Sequence, residues 1–305
     1  MTLDVRSATI LLECVRKGSL GRAATALNLT QPAVSRSLKI LEEGFGVPLF
    51  ERNTRGVALT PYGEALLPYA ELVVSELASA RDVIQQMRGA SRGVVRVGGV
   101  ASVVGGIVMA AICDMRQNHP DISFQVTEGL EDSVLEALKS GDLDIAVSSE
   151  PYVGDAISLA APDILFDTVY VYAGAHHPLT QQRSVTIADI ATRDWALPPI
   201  GSPVGKEWLK RFHNHALEPK MPLIVSRSVQ VIKTAVQSAD ILCWLPLPTV
   251  QAEVRREEMV RIPVAELEWR RTFRVYRRRK GLLTPSAAAL LHYIRSVGKR
   301  ASKGT

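Results

Sequence analysis

Apolar residues in the first sixty positions recur with the period of a helix. Ala8, Leu11, Leu12 and Val15 fall at i, i+3, i+4 and i+7, one face of an amphipathic helix that Gly18 ends. Ser19 then predicts the cap of a second helix, with Ala23, Ala24 and Leu27 as its inward face; two successive alanines let another helix cross closely. Asn28-Leu29 makes a turn. Thr30 caps a third helix with Pro32 in its first turn, where a missing N–H costs nothing. Val34, Leu38 and Leu41 face inward on that helix, Gln31, Ser35, Arg36 and Lys39 face outward, and Gly44 or Gly46 ends it. Two short helices around a tight turn, the second polar on its outer side, predict a helix-turn-helix. In the following LFERNTRGVALT, Arg52 and Arg55 flank an Asn-Thr turn, and Val57 and Leu59 alternate as in a short strand, which reads as a basic wing.

From Thr60-Pro61 a long helix is expected to run to about Arg88. Leu66, Ala70, Val73, Leu77, Ala80, Ile84 and Met87 are spaced alternately four and three apart, the heptad seam of two helices packed side by side. A helix lying along its own domain accounts for many of the same positions. After Gly89-Ala-Ser-Arg-Gly93 the pattern changes to short β-branched runs between helical stretches. Strands are expected at 94–98, 122–127 and 144–149, with helices at 102–118 and around 130–140, a βαβαβ order that predicts a mostly parallel sheet. Residues 166–265 repeat the mixture, beginning with an alternating strand at Asp167–Tyr172. Arg270–Lys280 reads as a strand with a solvated basic end, followed by a helix start at Thr284-Pro285; a second DNA contact is the other reading.

Charge sharpens the picture. The 305 residues carry 36 Lys and Arg against 31 Asp and Glu, a net +5. Residues 1–60 hold eight basic and five acidic residues, so a fifth of the chain supplies +3 of it. That excess on a helix-turn-helix points to double-stranded DNA. The third helix fits the major groove, where Gln31 suits adenine, Arg36 suits guanine, and Thr30, Ser35 and Lys39 suit bases or phosphates. Arg52 and Arg55 would touch phosphate or the minor groove, and Ser19, Arg22 and Pro32 complete the expected DNA-contact set.

Several chemistries are disfavoured. Cys14, Cys113 and Cys243 lie far apart with no C-x-x-C, which fits a reducing compartment and excludes a disulfide scaffold or a cysteine-rich zinc site. No signal-peptide core and no run near the ~18 apolar residues of a membrane span occur, so the cytoplasm is expected. Gly98-Gly99 through Gly105-Gly106 misses the G-x-G-x-x-G spacing, and Gly201–Glu207 is one residue short of a P-loop and ends in Glu207 rather than Ser or Thr. His213-x-His215 lacks partner ligands. No cofactor, no metal and no catalytic constellation are expected, so the chain does not read as an enzyme.

The stretches Ser19-Leu-Gly-Arg-Ala-Ala-Thr-Ala-Leu27, Thr30-Gln-Pro-Ala-Val-Ser35, Leu41-Glu-Glu and Gly46-Val-Pro-Leu-Phe-Glu-Arg52 resemble the signature of LysR-type transcription regulators nearly residue for residue. Leu20 stands where that family usually has Phe, and Gly44-Phe45 where a leucine-like residue usually precedes the glycine. The resemblance implies an α/β protein with a winged helix-turn-helix at 1–60, a linker and dimerisation helix at 61–89 and an effector-binding domain at 93–300. That last domain is similar to periplasmic binding proteins: two lobes, here 93–163 with 267–300 and 164–266, joined by two crossing strands around a ligand cleft. Homodimers through the linker helix, commonly paired into tetramers, and contact with RNA polymerase are further implications.

Ligands of open α/β sheets lie beyond the carboxyl ends of strands, beside helix N-termini. This places Ala101, Ser102, Val103, Thr127, Glu128, Ser148 and Ser149 on one side of the cleft and Pro199, Gly201, Ser202 and Ser228 on the other. Ser102 is expected to cap the helix after the first strand. Ser238–Pro246 departs from the family's glycine-rich turn, with Asp240 and Trp244 added there. Similarity to regulators of aromatic-acid or sugar-acid breakdown suggests an organic anion as effector. Two other readings stay open: an enzyme with a DNA-binding head, and an architectural DNA-binding protein whose C-terminal half only oligomerises.

Overall fold

A computed structural model describes residues 3–53, 56–87 and 93–303. The chain divides into two units, residues 1–90 with 139–142, and residues 91–138 with 143–305.

The first unit opens with α1 (Val5–Lys17), α2 (Leu20–Ala26) and α3 (Gln31–Phe45), continues through β1 (Phe50–Asn53) and β2 (Gly56–Leu59), and closes with α4 (Pro61–Met87). Local chemistry sets each boundary. Asp4 and Ser7 form a reciprocal capping box on α1, and Gly18 ends it in the left-handed region at φ 60°. Asn28 takes φ 53° in the turn between α2 and α3, a conformation asparagine tolerates better than most residues. The Thr30 hydroxyl accepts from Ala33 N–H, and Gly46 at φ 72° ends α3, which settles the choice between the two glycines. Val34, Leu38 and Leu41 are buried as expected. On α1 the buried stripe is wider than the periodicity suggested: Ile10 and Cys14 join Ala8 and Leu11, while Leu12 and Val15 are only partly buried. The reason is that α2, α3 and α4 all pack on α1.

The expected heptad seam divides in two. Ala70 is fully buried in this unit's own core, and Leu66 and Val73 pack beside it. Ala80 and Ile84 are exposed, Ile84 by 58%. The first half of the seam is therefore explained within one chain, and the side chain of Met87 lies outside the described residues.

The second unit begins with β3 (Gly93–Gly99), α5 (Ala101–Val103), a π-helical turn (Val104–Val108) and α6 (Met109–Asn118). It proceeds through β4 (Ile122–Glu128), α7 (Glu131–Ser140), β5 (Ile145–Ser148) and the 18-residue β6 (Ile157–Gly174). After β6 come α8 (Ile187–Ala191), β7 (Asp194–Leu197), α9 (Pro203–Asn214), β8 (Ile224–Val225), α10 (Val229–Ser238) and β9 (Ile241–Pro246). The chain finishes with α11 (Leu247–Arg255), β10 (Met259–Ile262), β11 (Trp269–Arg278) and α12 (Pro285–Lys303). The sheet runs β4-β3-β5-β11-β6-β9-β7-β8, with β10 also on β6. β3 is parallel to β4 and β5, the βαβαβ arrangement predicted. A Cβ on Gly98 would lie 2.5 Å from a methyl of the buried Leu143, just before β5.

β6 and β11 run antiparallel from the pair Trp269–Val169 to the pair Arg278–Ile157. Between the Phe273–Leu165 and Val275–Ala161 pairs β6 carries extra residues, and Pro162, which has no N–H to give, falls in that bulge. Both strands serve two separate cores. Phe273, Val275 and Ala161 belong to one, with Val95, Val97 and the α6 and α12 faces. Val169 and Val171 belong to the other, with Trp195, Trp208, Phe212 and Trp244, and Trp269 packs against it. These are two lobes sharing two crossing strands.

Candidate functional site

On the first unit the outer face of α3 is built from its caps and buried stripe. With Val34, Leu38 and Leu41 inward, Gln31, Pro32, Arg36 and Lys39 are left exposed and Ser35 half-buried. The face is polar and basic in its first turns and acidic at Glu42 and Glu43; Lys39 pairs with Glu43 at 3.7 Å. Ser19 makes no side-chain capping bond on α2. A Cβ on Gly21 would lie 3.7 Å from Gln31 Oε1 and 3.9 Å from Ser19 Oγ, so these two polar groups share one surface where α2 meets α3. Arg22 is exposed next to them, and Thr30 is used as the α3 cap.

The hairpin β1–β2 is fastened to this surface. Glu42 Oε1 accepts from the N–H groups of Leu49 (2.8 Å) and Phe50 (3.1 Å). Val57 N–H donates to Gly18 O at 3.1 Å. That bond requires a glycine at 56, at φ 136°, because a Cβ there would sit 2.2 Å from the same carbonyl. The strands pair from Phe50–Leu59 to Asn53–Gly56, within the stretch expected as a basic wing. Arg55 and the side chain of Arg52 lie outside the described residues.

On the second unit the junction of the lobes carries charge. One face of β11 presents Trp269, Arg271 and Phe273 in alternation, and the facing stretch of β6 presents Leu165, Asp167 and Val169. Arg271 and Asp167 are direct cross-strand partners with side chains 3% and 1% exposed. The guanidinium forks onto the carboxylate, Nε to Oδ1 at 2.7 Å and Nη2 to Oδ2 at 2.5 Å. Ser102 Oγ donates to Asp167 Oδ2 at 2.8 Å and accepts from Arg271 Nη2 at 3.2 Å. Close by, the buried Glu131 at the start of α7 accepts from both the N–H and the hydroxyl of Ser149. Burial raises the Glu131 pKa above its ordinary value, and the Ser149 hydrogen bonds and the charge of Arg271 offset this only in part.

The expected cleft residues fare differently. Ser102 is not a helix cap: Val100 is, its carbonyl accepting from Val103 and Val104, because the chain turns helical at Ala101, two residues before the start that a Ser102 cap implies. Ala101 is half-buried, and Val103 joins a lobe core. Thr127 and Glu128 end β4 exposed, beside Gly98 and Gly99. Ser148 is fully buried and accepts from Glu150 N–H, a turn bond. Pro199 O accepts from Ser202 N–H, Gly201 is exposed between them, and Ser202 caps α9 through Gly205 N–H at 3.2 Å. Ser228 caps α10 through Val231 N–H. Among the described residues, then, hydrogen bonds bring Ser102 to Asp167 and Arg271 and Ser149 to Glu131, whereas those of Ser202 and Ser228 stay local.

Asp167, Arg271 and Glu131 escaped the sequence reading. A signal was present for two of them: each interrupts an apolar alternation, Leu165-x-Asp167-x-Val169 and Trp269-x-Arg271-x-Phe273.

Comparison with known proteins covers both units. Residues 5–64 match the model of bacterial regulatory helix-turn-helix proteins of the lysR family, and residues 88–299 match that of the LysR substrate binding domain. The chain is 26% identical over 300 residues to a RuBisCO operon transcriptional regulator of Allochromatium vinosum, covering 98% of each chain. It is 30% identical over 271 residues to the HTH-type transcriptional regulator YdcI of Escherichia coli K12, covering 86% of this chain and 85% of that one. Among solved structures, CbnR, a LysR family transcriptional regulator, superposes with a TM-score of 0.71 at 18% identity, over 97% of this chain and 99% of the other. Full-length CbnR complexed with its target DNA gives 0.69 at the same identity, over 97% and 100%.

Proposed function

Because the chain belongs to the LysR family of bacterial helix-turn-helix regulators, we propose that it grips an operator as a dimer or tetramer and changes that grip when a small organic acid, aromatic or sugar-derived, enters the cleft between its lobes. The coarser part is plain: this is a DNA-binding transcription regulator with an effector-binding domain. The observation that carries the finer part is the charged Ser102–Asp167–Arg271 cluster set between two apolar cores, where a ligand could bias the arrangement of the lobes.

α3 enters the major groove, with Gln31 and Arg36 against base edges, Ser35 and Lys39 on bases or backbone, and Ser19, Arg22 and the wing arginines on phosphate. One such domain contacts too few bases for useful specificity, so two read paired half-sites about one helical turn apart. Dimerisation uses the later part of α4, where Ala80 and Ile84 are exposed, and further pairing and RNA polymerase contact follow at the promoter, in the cytoplasm. The effector sits beyond the β3 and β4 ends, near Ser102, Thr127, Glu128 and Ser149, with the Pro199–Ser202 turn and Ser228 opposite. It acts through a difference in affinity for two arrangements of the lobes.

The test is to select a binding site from random-sequence DNA, then footprint it with a panel of aromatic acids, sugar acids, sugars and amino acids. One acid class should alter the footprint. A footprint and a melting temperature that no compound moves would support the architectural reading instead.

A further inference from the structure

We propose that Arg271 is the residue that receives the effector's carboxylate and that Asp167 is its built-in occupant, displaced when an anionic effector binds. This rests on the effector-gated reading and goes beyond it by naming the receiving group and what it must release.

The fork of Arg271 is the geometry with which a guanidinium recognises any carboxylate, two parallel N–H···O bonds in one plane. Asp167 already fills it. The neighbours on the same strand faces, Leu165, Val169, Trp269 and Phe273, would accept an apolar pair at these two positions. A buried ion pair is not needed for stability in such surroundings, since an apolar pair of similar volume usually does as well. A charged pair placed where one lobe's core gives way to the other's therefore calls for a use. The aromatic rings of Phe273 and Trp269 stand 5.0 and 5.6 Å from the guanidinium carbon, and these contacts keep the fork oriented while its partner is exchanged.

Exchange of one carboxylate for another keeps the guanidinium paired, so the charge of Arg271 is never left bare. The consequence falls on Asp167. Glu131 already lies within the field of Arg271, so an incoming anion would bring a third carboxylate to one guanidinium. The displaced group must regain water, and to reach water it must draw β6 away from Ser102. The Ser102–Asp167 bond ties the helical stretch after β3 to the crossing strand, so its loss frees one lobe to shift against the other. In this way a carboxylate gains different affinities for two arrangements.

The experiment uses the full chain with benzoate and gluconate as probes, read by tryptophan fluorescence; Trp269 stacks on Trp244 with centroids 5.5 Å apart, beside the guanidinium. Asp167→Asn neutralises the occupant, and at least one probe should then saturate at no more than about a tenth of the wild-type concentration. Adding Arg271→Gln should abolish that gain. A second variant, Asp167→Ala, should melt higher in acetate than in chloride at equal ionic strength, and lose the difference when Arg271→Gln is added. Equal probe affinity in wild type and Asp167→Asn, a gain that survives Arg271→Gln, or no preference for acetate would each overturn the proposal. An effector whose footprint response and affinity are unchanged in Asp167→Asn sinks this proposal and leaves the effector-gated reading standing. A probe site gained in Asp167→Asn on a protein whose footprint ignores every compound sinks the effector-gated reading, and with it the regulatory role of Arg271, leaving only a carboxylate site there.

Discussion

Replacing Asp167 by alanine tests how the junction is held together. The carboxylate accepts three hydrogen bonds, from Arg271 Nε at 2.7 Å, Arg271 Nη2 at 2.5 Å and Ser102 Oγ at 2.8 Å. Its loss leaves a guanidinium 3% exposed, bonded to the Ser102 oxygen at 3.2 Å, with Glu131 in its field but no ion-pair partner in contact among the described residues. Breaking a pair this deeply buried costs about 3–5 kcal/mol, most of it the cost of a bare buried charge rather than the worth of the bonds. Removing both charges together avoids that cost, so Asp167→Val with Arg271→Met should be about as stable as wild type. With a urea slope of about 2 kcal/mol/M, the single variant should unfold roughly 2 M earlier. All four tryptophans, Trp195, Trp208, Trp244 and Trp269, lie in the second unit, so their fluorescence in urea reports that unit within the full chain. A shift below about 0.5 M, or a double variant as unstable as the single one, would refute the buried-charge account.

Three further outcomes follow from other parts of the molecule. Arg36→Ala and Gln31→Ala should each weaken operator binding by about 1–3 kcal/mol and flatten base preference, whereas Arg22→Ala should weaken all sequences alike and lower the salt slope; anisotropy titrations at two salt concentrations separate them. Trp195 Nε1 donates to Ile190 O at 3.2 Å, while the buried Trp208 Nε1 finds no acceptor among the described residues. Trp195→Phe should therefore cost about 1–3 kcal/mol more than Trp208→Phe in urea unfolding, and equal costs would show that Trp208 is also bonded. Glu131 has a pKa raised by burial, so its contribution to stability is full below its unfolded value and lost as pH rises through the folded one. Glu131→Gln removes that loss, and its stability relative to wild type should rise as the pH is raised above the ordinary carboxylate range; a constant difference would place the carboxyl in water.

Local chemistry made the first unit legible. Thr30 with Pro32, Gly18 and the Val34–Leu38–Leu41 stripe each specify a boundary or a face from a few adjacent residues, and all were found in place. The βαβαβ order was legible for the same reason. The length of β6 was not, because Pro162 and the bulge hide its first half from any period-two pattern, leaving only Asp167–Tyr172 to read. The heptad seam was ambiguous in principle: the same spacing serves a partner helix or the chain's own core, and Ala70, buried in the first unit's core, shows the second use along the first half of α4. The charged junction depends on Asp167 meeting Arg271 across 104 positions of sequence, a pairing that no local pattern encodes. Ser202 and Ser228 show the converse, since serines beside strand ends are also what helices need as caps.

Linkage gives the most direct test of the central claim, that effector and operator act on one protein through two arrangements of the sensor lobes. The measurement is the effector's Kd, by tryptophan fluorescence, with and without saturating operator duplex, beside the operator's Kd with and without saturating effector. Both ratios should agree and differ from one, because a coupling between two binding sites is reciprocal. An effector that binds with one affinity whether or not the operator is present would contradict the account.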